Sequence, residues 1–327
     1  MKQSRFSLPG QVPGGSGRQQ LSPGKKAVVL CLAALLIPYI TTLAWTGRAE
    51  GSVQKPESTG KTVILDRGNG SAAMDLEEYL IGVTAVQIPP DYEPEALKAQ
   101  AILARTAVRR QMDGADSVPE SALDMDYLGQ GQMEKLWGSE QYPEFYSRIR
   151  EAVAETTGMV VTWNGDYIEP LFHRLSAGRT RQGGESAPYL VSVEAPEAVE
   201  GENFLSVFHF TREELAKKLN QMTESPEVTA DTVLESIQII EKDTAGYVDS
   251  VMVGGRTYSG DAVRWALSLP STAFHFEASE SGARVSVRGI GHGYGLEQYG
   301  ANEKAKAGWT AEEILNYYYQ NIVILTE

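Results

Sequence analysis

Apolar and polar positions recur with two different periods along this chain, and each change of period marks an element. TVILD, from Thr62, has the β-rich character of a short strand. MDLEEYLIGVTAV, from Met74, reads as a short helix running into a strand-like lead-in, which Pro89 and Pro90 stop. Glu93 is then the expected N-cap, with Pro94 at the first helical position. Beyond it Leu97, Ala101, Ala104 and Val108 recur at helical spacing, a stripe of mostly small side chains that lets another backbone approach closely. Lys98, Arg105 and Arg109 share a different face.

Farther on, YSRIREAVAETTG predicts a helix, and MVVTW and YIEPLFH predict two strands joined by an Asn164-Gly165 hairpin turn. TREELAKKLNQ opens on a capping box of Thr211 and Glu214. Strands are expected at ESIQIIE, YVDSVMV, AFHFEA and ARVSVRG, with a short helix from Asp261 to Leu267 and a last one from Ala311 to Gln320. Helices and strands fall in blocks rather than alternating, which predicts an α+β domain.

The pattern before Thr62 is different. Met1 to Lys26 holds Lys2, Arg5, Arg18, Lys25 and Lys26 and no acid. AVVLCLAALLIPYITTLAW follows, Ala27 to Trp45, without a charge. As a helix it nearly spans a hydrocarbon core of ~30 Å. The preceding positive charges keep the N-terminus cytoplasmic and export the rest. A cleaved signal peptide is the rival reading, but its apolar region is normally ~7–15 residues, and LAWTGRAEG makes a poor cleavage site. The expected organisation is a disordered basic cytoplasmic tail over 1–26, a transmembrane anchor over 27–46, a stalk over 47–61 and one exported domain over 62–327. A net charge of -14 excludes a general nucleic-acid binder. The one cysteine, Cys31, lies in the apolar segment, so the exported domain has no disulfides and no thiolate ligands.

Candidate chemistry gathers at three places. His173 precedes RLSAGRT, which holds Ser176, and His292 and Gly293 lie in GIGHGYGLEQYGA. Without cysteine, no zinc set is expected. Ser176 with a histidine suggests a hydrolase, but no nucleophile elbow surrounds it. GGESAPYL is either a surface turn or a ligand loop in which Tyr189 stacks on a sugar ring. Five glycines among the thirteen residues of GIGHGYGLEQYGA are costly to order, which suits either a site loop or a sharp structural turn. Gln87 stands at the mouth of the proline turn.

Together these stretches resemble the stage II sporulation protein D family, which includes amidase-enhancer cell-wall proteins. The resemblance is carried by YLIGVTAVQIPPDYEPEALKAQAILARTAVR, by FHRLSAGRTRQGGESAPYLVSVEAP and by GIGHGYGLEQYGANEKAKAGWTAEEILNYYYQNIVI, which follow in order through most of 62–327. It implies an exported α+β domain with a substrate groove, anchored in the membrane and acting on peptidoglycan during engulfment. It further implies lytic transglycosylase chemistry without a cofactor, and a membrane-anchored amidase or hydrolase as partner. By motif position, Lys98, Arg105 and Tyr189 match family residues important for activity, and Ser176, His292 and Gly293 belong to the same substrate-binding surface.

The sequence departs from the family at one place. The catalytic glutamate belongs in a pattern resembling A-x-E-M-P, and this chain has Ala85, Val86, Gln87, Ile88, Pro89. An amide has the shape of the acid and hydrogen-bonds a sugar, but transfers no proton at ordinary pH. General acid–base catalysis contributes ~10²–10⁴-fold, so the change implies weakened or lost cutting. The alternative is an active enzyme using another acid. Asp91, Glu93, Glu185 and Glu297 stand near the motifs, and Glu297 is the foremost candidate.

Overall fold

The computed structural model describes residues 55–66 and 70–327, which lie within the compact unit Val53–Glu327. Three helices form its first layer: α1 (Leu76–Gln87), α2 (Pro94–Met112) and α3 (Gln130–Glu155). Asp75 starts α1 by accepting the Glu77 N–H at 2.9 Å. The lead-in expected to be strand-like at Ala85 is the last turn of α1, and only Ile88 is extended. The helix runs up to the residue before the prolines because Ala85 to Gln87 bear no steric conflict until Pro89 restricts Ile88. α2 begins as expected, with Glu93 as N-cap and Pro94 at its start. α3 starts well before the expected Tyr146 and breaks at Gly138, whose φ of 76° is left-handed.

α2 is buried on two faces. Leu97, Ala101, Ala104 and Val108, the small-residue stripe, pack with Leu80 and Val83 of α1 and with Ile149 and Val153 of α3. A small sheet of β1 (Thr62–Asp66), β2 (Ser71–Asp75) and β3 (Ser117–Pro119) flanks this core. The opposite face of α2, with Ala99, Ile102 and Leu103, packs on a second core. That core receives Val161 from β4 (Met159–Trp163), which pairs with β5 (Asp166–Tyr167) around the expected Asn164-Gly165 turn. YIEPLFH is therefore not one strand: after β5 the chain loops to β6 (Phe172–His173), which joins a different sheet.

A third core lies between 205 and 288. β7 (Leu205–Thr211) leads through the expected capping box into α4 (Arg212–Leu219), where the Thr211 hydroxyl accepts the Glu214 N–H. The short α5 (Val233–Ser236) precedes a sheet of β8 (Ile237–Lys242), β9 (Val248–Val253) and β10 (Arg256–Ser259). α6 (Gly260–Leu267) follows, and β11 (Phe274–Ser279) and β12 (Gly282–Arg288) pair antiparallel beside β7. The chain then returns to the second core. β13 (Leu296–Glu297) lies parallel to β6, α7 (Gln298–Lys306) and α8 (Ala311–Tyr318) follow, and β14 (Val323–Thr326) pairs with β4. The structure is thus a mixture of helices and mostly antiparallel sheets. Among the described residues no helix is long and apolar enough to cross a membrane. The anchor expected over 27–46 lies outside the described residues.

Candidate functional site

Gln87 closes α1 at the point where the proline turn begins. Its side-chain oxygen accepts from Gln100 Nε2 at 2.8 Å, and its main-chain oxygen accepts from Gln298 Nε2 at 2.6 Å. Gln298 also donates to Gln100 Oε1 at 3.0 Å. Three glutamines from α1, α2 and α7 therefore form one hydrogen-bonded relay, with Gln100 and Gln298 both buried. The partner of the Gln87 side chain is an amide and not a carboxylate. A donor at Gln100 Nε2 serves an amide oxygen and a carboxylate oxygen equally well. The frame around position 87 thus accepts glutamate as readily as glutamine.

Pro89 and the turn after Gln87 form one wall of a cleft of about 350 Å³, completed by Asp91, Tyr92, Arg174, Tyr299 and Lys306. The turn is held firmly. Arg148 on α3 donates to the carbonyls of Pro90, at 2.9 Å, and Tyr92, while Asn302 on α7 accepts the Glu93 N–H at 2.7 Å. Burial, opposed by the Arg174 guanidinium, raises the Tyr92 hydroxyl above the usual phenol range. The cleft brings two cations, two tyrosines and two acids, Asp91 and Glu202, together beside the proline turn that follows the motif position. Arg174 and Tyr299 each adjoin a motif landmark, His173 and the GYGLEQ run, but no periodic pattern in the sequence points to them.

Glu297 ends β13 behind this cleft with no exposed surface. One carboxyl oxygen accepts the Ser176 N–H at 3.0 Å, and the other has no partner among the described residues. Burial pushes its pKa to about 7, with the Glu197 carboxylate adding to the rise and the Ser176 N–H and Lys304 opposing it. A methyl group at Gly300 would stand 2.5 Å from the Tyr318 hydroxyl and 2.8 Å from Glu297 Oε2, so only glycine leaves these two polar groups their place. The site thus holds an amide two residues before the proline wall of the cleft and, away from the surface, a buried acid whose pKa is raised to about 7.

A family model described as "Stage II sporulation protein" matches residues 68–163, which contain Gln87, the proline turn and α2. Across 90% of this chain and 93% of its own length, the stage II sporulation protein D of Bacillus subtilis (strain 168) is 31% identical. The chain belongs to the stage II sporulation protein D family. The protein of the same description from Bacillus amyloliquefaciens is 29% identical over the same shares. The amidase enhancer of B. subtilis (strain 168) is 25% identical over 73% of this chain and 39% of its own length.

Within this family member the expected site residues separate. Gln87, Glu297 and Ser176 are linked through α7 and the Ser176 N–H. Ser176 is itself fully buried, and its hydroxyl accepts the Gly178 N–H at 3.2 Å, so its service is to Glu297 and not to a ligand at the surface. Arg105 does not face the cleft. It is 1% exposed, and its guanidinium donates to both Glu77 oxygens, to Thr156 Oγ1 and to the carbonyls of Val153 and Met159. Every N–H it has is engaged internally, because α2 is covered on the faces beside it. Lys98 is held by Glu95 at 2.7 Å and Glu155 at 2.5 Å and lines a separate hollow of about 270 Å³ with Arg148. Tyr189, expected to stack on a sugar, is buried in the second core, and its hydroxyl accepts the Glu169 N–H at 2.9 Å.

The glycine loop packs against protein. Gly293, with φ of 85°, lies on the Tyr247 ring, where a methyl group would come within 2.5 Å of Cζ. His292 and His173 stand with ring centroids 5.8 Å apart. His173 Nδ1 meets the Tyr294 carbonyl at 3.1 Å, so it carries the proton there. Burial, then the neighbouring His292, lower the His173 pKa to about 3 and keep it neutral. Among the described residues, no group of three or more His, Cys, Asp or Glu comes together as a metal-binding set.

Proposed function

We propose that this protein is a membrane-anchored cell-wall remodelling protein of sporulation. In this reading it holds peptidoglycan glycan strands in the cleft beside Gln87, and its lytic transglycosylase activity is weakened or lost. The observation that carries the reading is the glutamine relay: a frame that would take a glutamate holds an amide in its place. Cutting by this chemistry needs one carboxyl group to protonate the glycosidic oxygen and then, as carboxylate, to take the proton of the sugar's own 6-hydroxyl as the 1,6-anhydro ring closes. Gln87 keeps the hydrogen bonds of that group and loses its proton transfer. Arg174 and Lys306 suit the carboxylates of a muramyl strand, and Tyr92 and Tyr299 suit its sugar rings. Holding a strand without cutting it fits a protein that positions or stimulates a partner hydrolase in the same membrane. One relative's name, amidase enhancer, points the same way.

A second reading, an active enzyme that uses Glu297, is favoured by one observation: a pKa of about 7 beside an oxygen without a partner. Complete burial stands against it, since a general acid has to come within hydrogen-bond reach of the bond it breaks.

The test incubates the full chain with denuded glycan strands and looks for anhydromuramic ends by mass spectrometry. The expected result is few or no ends from the natural sequence and an increase of at least ~10²-fold in Gln87→Glu. Ends made by the natural sequence and lost in Glu297→Gln would overturn the reading.

A further inference from the structure

We infer that the groove beside Trp265 is a second glycan-binding site, separate from the Gln87 cleft. The inference rests on the reading that the protein engages peptidoglycan. The groove lies on the outer side of the third core, between α6, β10 and the segment Gln221–Glu224, and has a volume of about 890 Å³. It is more than twice the size of the cleft at Gln87 and falls within the ~300–1,000 Å³ usual for ligand sites.

Trp265 is 70% exposed, the most exposed large hydrophobic side chain among the described residues. It is nevertheless held in place. The Arg264 guanidinium lies over its ring, 4.7 Å from the centroid, and is itself fixed by the Leu269 carbonyl at 3.3 Å and by Asp261 at 3.5 Å. An indole fixed in this way before any ligand arrives loses little freedom on stacking, and the flat C–H face of a pyranose is a natural partner for it.

The groove's polar groups narrow the ligand class. Gln221, Thr223 and Thr257 line it, and their side chains have no hydrogen bond among the described residues, so they can serve a hydroxyl or an acetamido group. The two charges there, Arg256 and Glu224, face each other at 3.9 Å and largely cancel. A near-neutral groove on a chain of net charge -14 gives little hold to a polymer with an anion on every unit, such as nucleic acid, and suits the uncharged rings of a strand that carries carboxylates on alternate sugars only. Around Trp265 the lining sets a second aromatic, Tyr258, and the small or unbranched Met222, Ala262 and Ala266 among hydroxyls and the Gln221 amide, a mixture of flat apolar surface and hydrogen-bonding groups that suits sugar rings. A hydroxyl-rich polymer of flat rings fits best. Two sites on one chain let a long strand bind with an avidity that a short one cannot reach.

The test labels the full chain with 5-fluorotryptophan, assigns the Trp265 resonance by Trp265→Phe, and titrates in denuded glycan strands, long and short. Retention on insoluble denuded glycan is measured in parallel. The expected result is a saturable shift of the Trp265 resonance and a loss of about tenfold in long-strand affinity in Trp265→Ala. Thr257→Arg, which fills the groove and leaves Trp265 in the chain, should give a similar loss. Trp265 is exposed, so neither change disturbs the core, and unaltered thermal unfolding will show this. Retained glycan with a static Trp265 resonance and no effect of either variant overturns the second site and leaves the Gln87 cleft standing. Absence of both retention and shift overturns the second site together with the peptidoglycan reading. A shift produced by a protein partner and not by glycan overturns the proposal in favour of a docking surface.

Discussion

Glu77 and Glu297 are both carboxyl groups with no exposed surface, and their surroundings could hardly differ more. Glu77 meets the Arg105 guanidinium through both oxygens, and the Gly158 N–H lies at 3.4 Å from one of them. Glu297 has one backbone N–H on one oxygen and nothing on the other. Burial of an ion is costly unless opposite charge and hydrogen bonds compensate it. Where the compensation is complete the group is scaffold, tying α1 to α2 and α3. Where it is partial the group holds its proton to a higher pH, and its charge state follows the solution. The motif residues divide along the same line: Arg105 belongs with the scaffold, while Glu297 keeps an oxygen that nothing compensates.

The largest effect should come from breaking the compensated pair. Arg105→Met leaves the Glu77 charge buried without a partner and should cost about 3–5 kcal/mol in chemical unfolding. Glu77→Leu combined with Arg105→Met removes both charges and should recover most of that loss. A single variant as stable as the natural chain would return Arg105 to the list of ligand-facing residues.

The uncompensated acid should show itself through pH. The folded pKa of Glu297 is raised from 4.5 to about 7. Its contribution to stability is therefore complete below about 4.5 and is lost as pH rises through about 7, because in that window the unfolded carboxyl ionises while the folded one keeps its proton. The unfolding free energy of the natural chain should fall across this window by roughly 3 kcal/mol from this group. Glu297→Gln should flatten that slope and be the more stable protein at pH 8. An unchanged slope would mean that Glu297 is compensated after all.

How much of this the sequence discloses depends on the range of the interaction. The start of α2 follows from Glu93 and Pro94, its packing stripe from four residues at helical spacing, and the α4 capping box from Thr211 and Glu214. All of these are local. The position of Gln87 follows from its motif, but the glutamine relay does not, since Gln100 and Gln298 lie 198 residues apart in sequence. Spacing puts Lys98 and Arg105 on one face of α2 and says nothing of what covers that face. Arg105 meets a partner on α1 and carbonyls beside β4, so it is interior, while Lys98 stays near the surface one helical stretch earlier. Tyr189 has the neighbours of a loop residue in sequence and of a core residue in space. Glu297 sits on a two-residue strand, too short for any period to reveal its burial.

Lys98 falls between the two kinds of buried charge and gives the smallest expected effect. Its side chain is about a fifth exposed, and both of its carboxylate partners are more open than it is. Pairs of this kind contribute about 0–1 kcal/mol, so Lys98→Ala should move the unfolding midpoint little. Glycan retention makes the variant informative. If Lys98 only braces α2 against α3, retention should stay within about twofold of the natural chain, because its hollow is separate from the Gln87 cleft. A severalfold loss of retention at unchanged stability would mean that a strand reaches past the proline turn to displace Glu95 or Glu155. Lys98 would then be a ligand contact held in reserve by its salt bridges, and the glycan path would run along both sides of the turn that Arg148 holds.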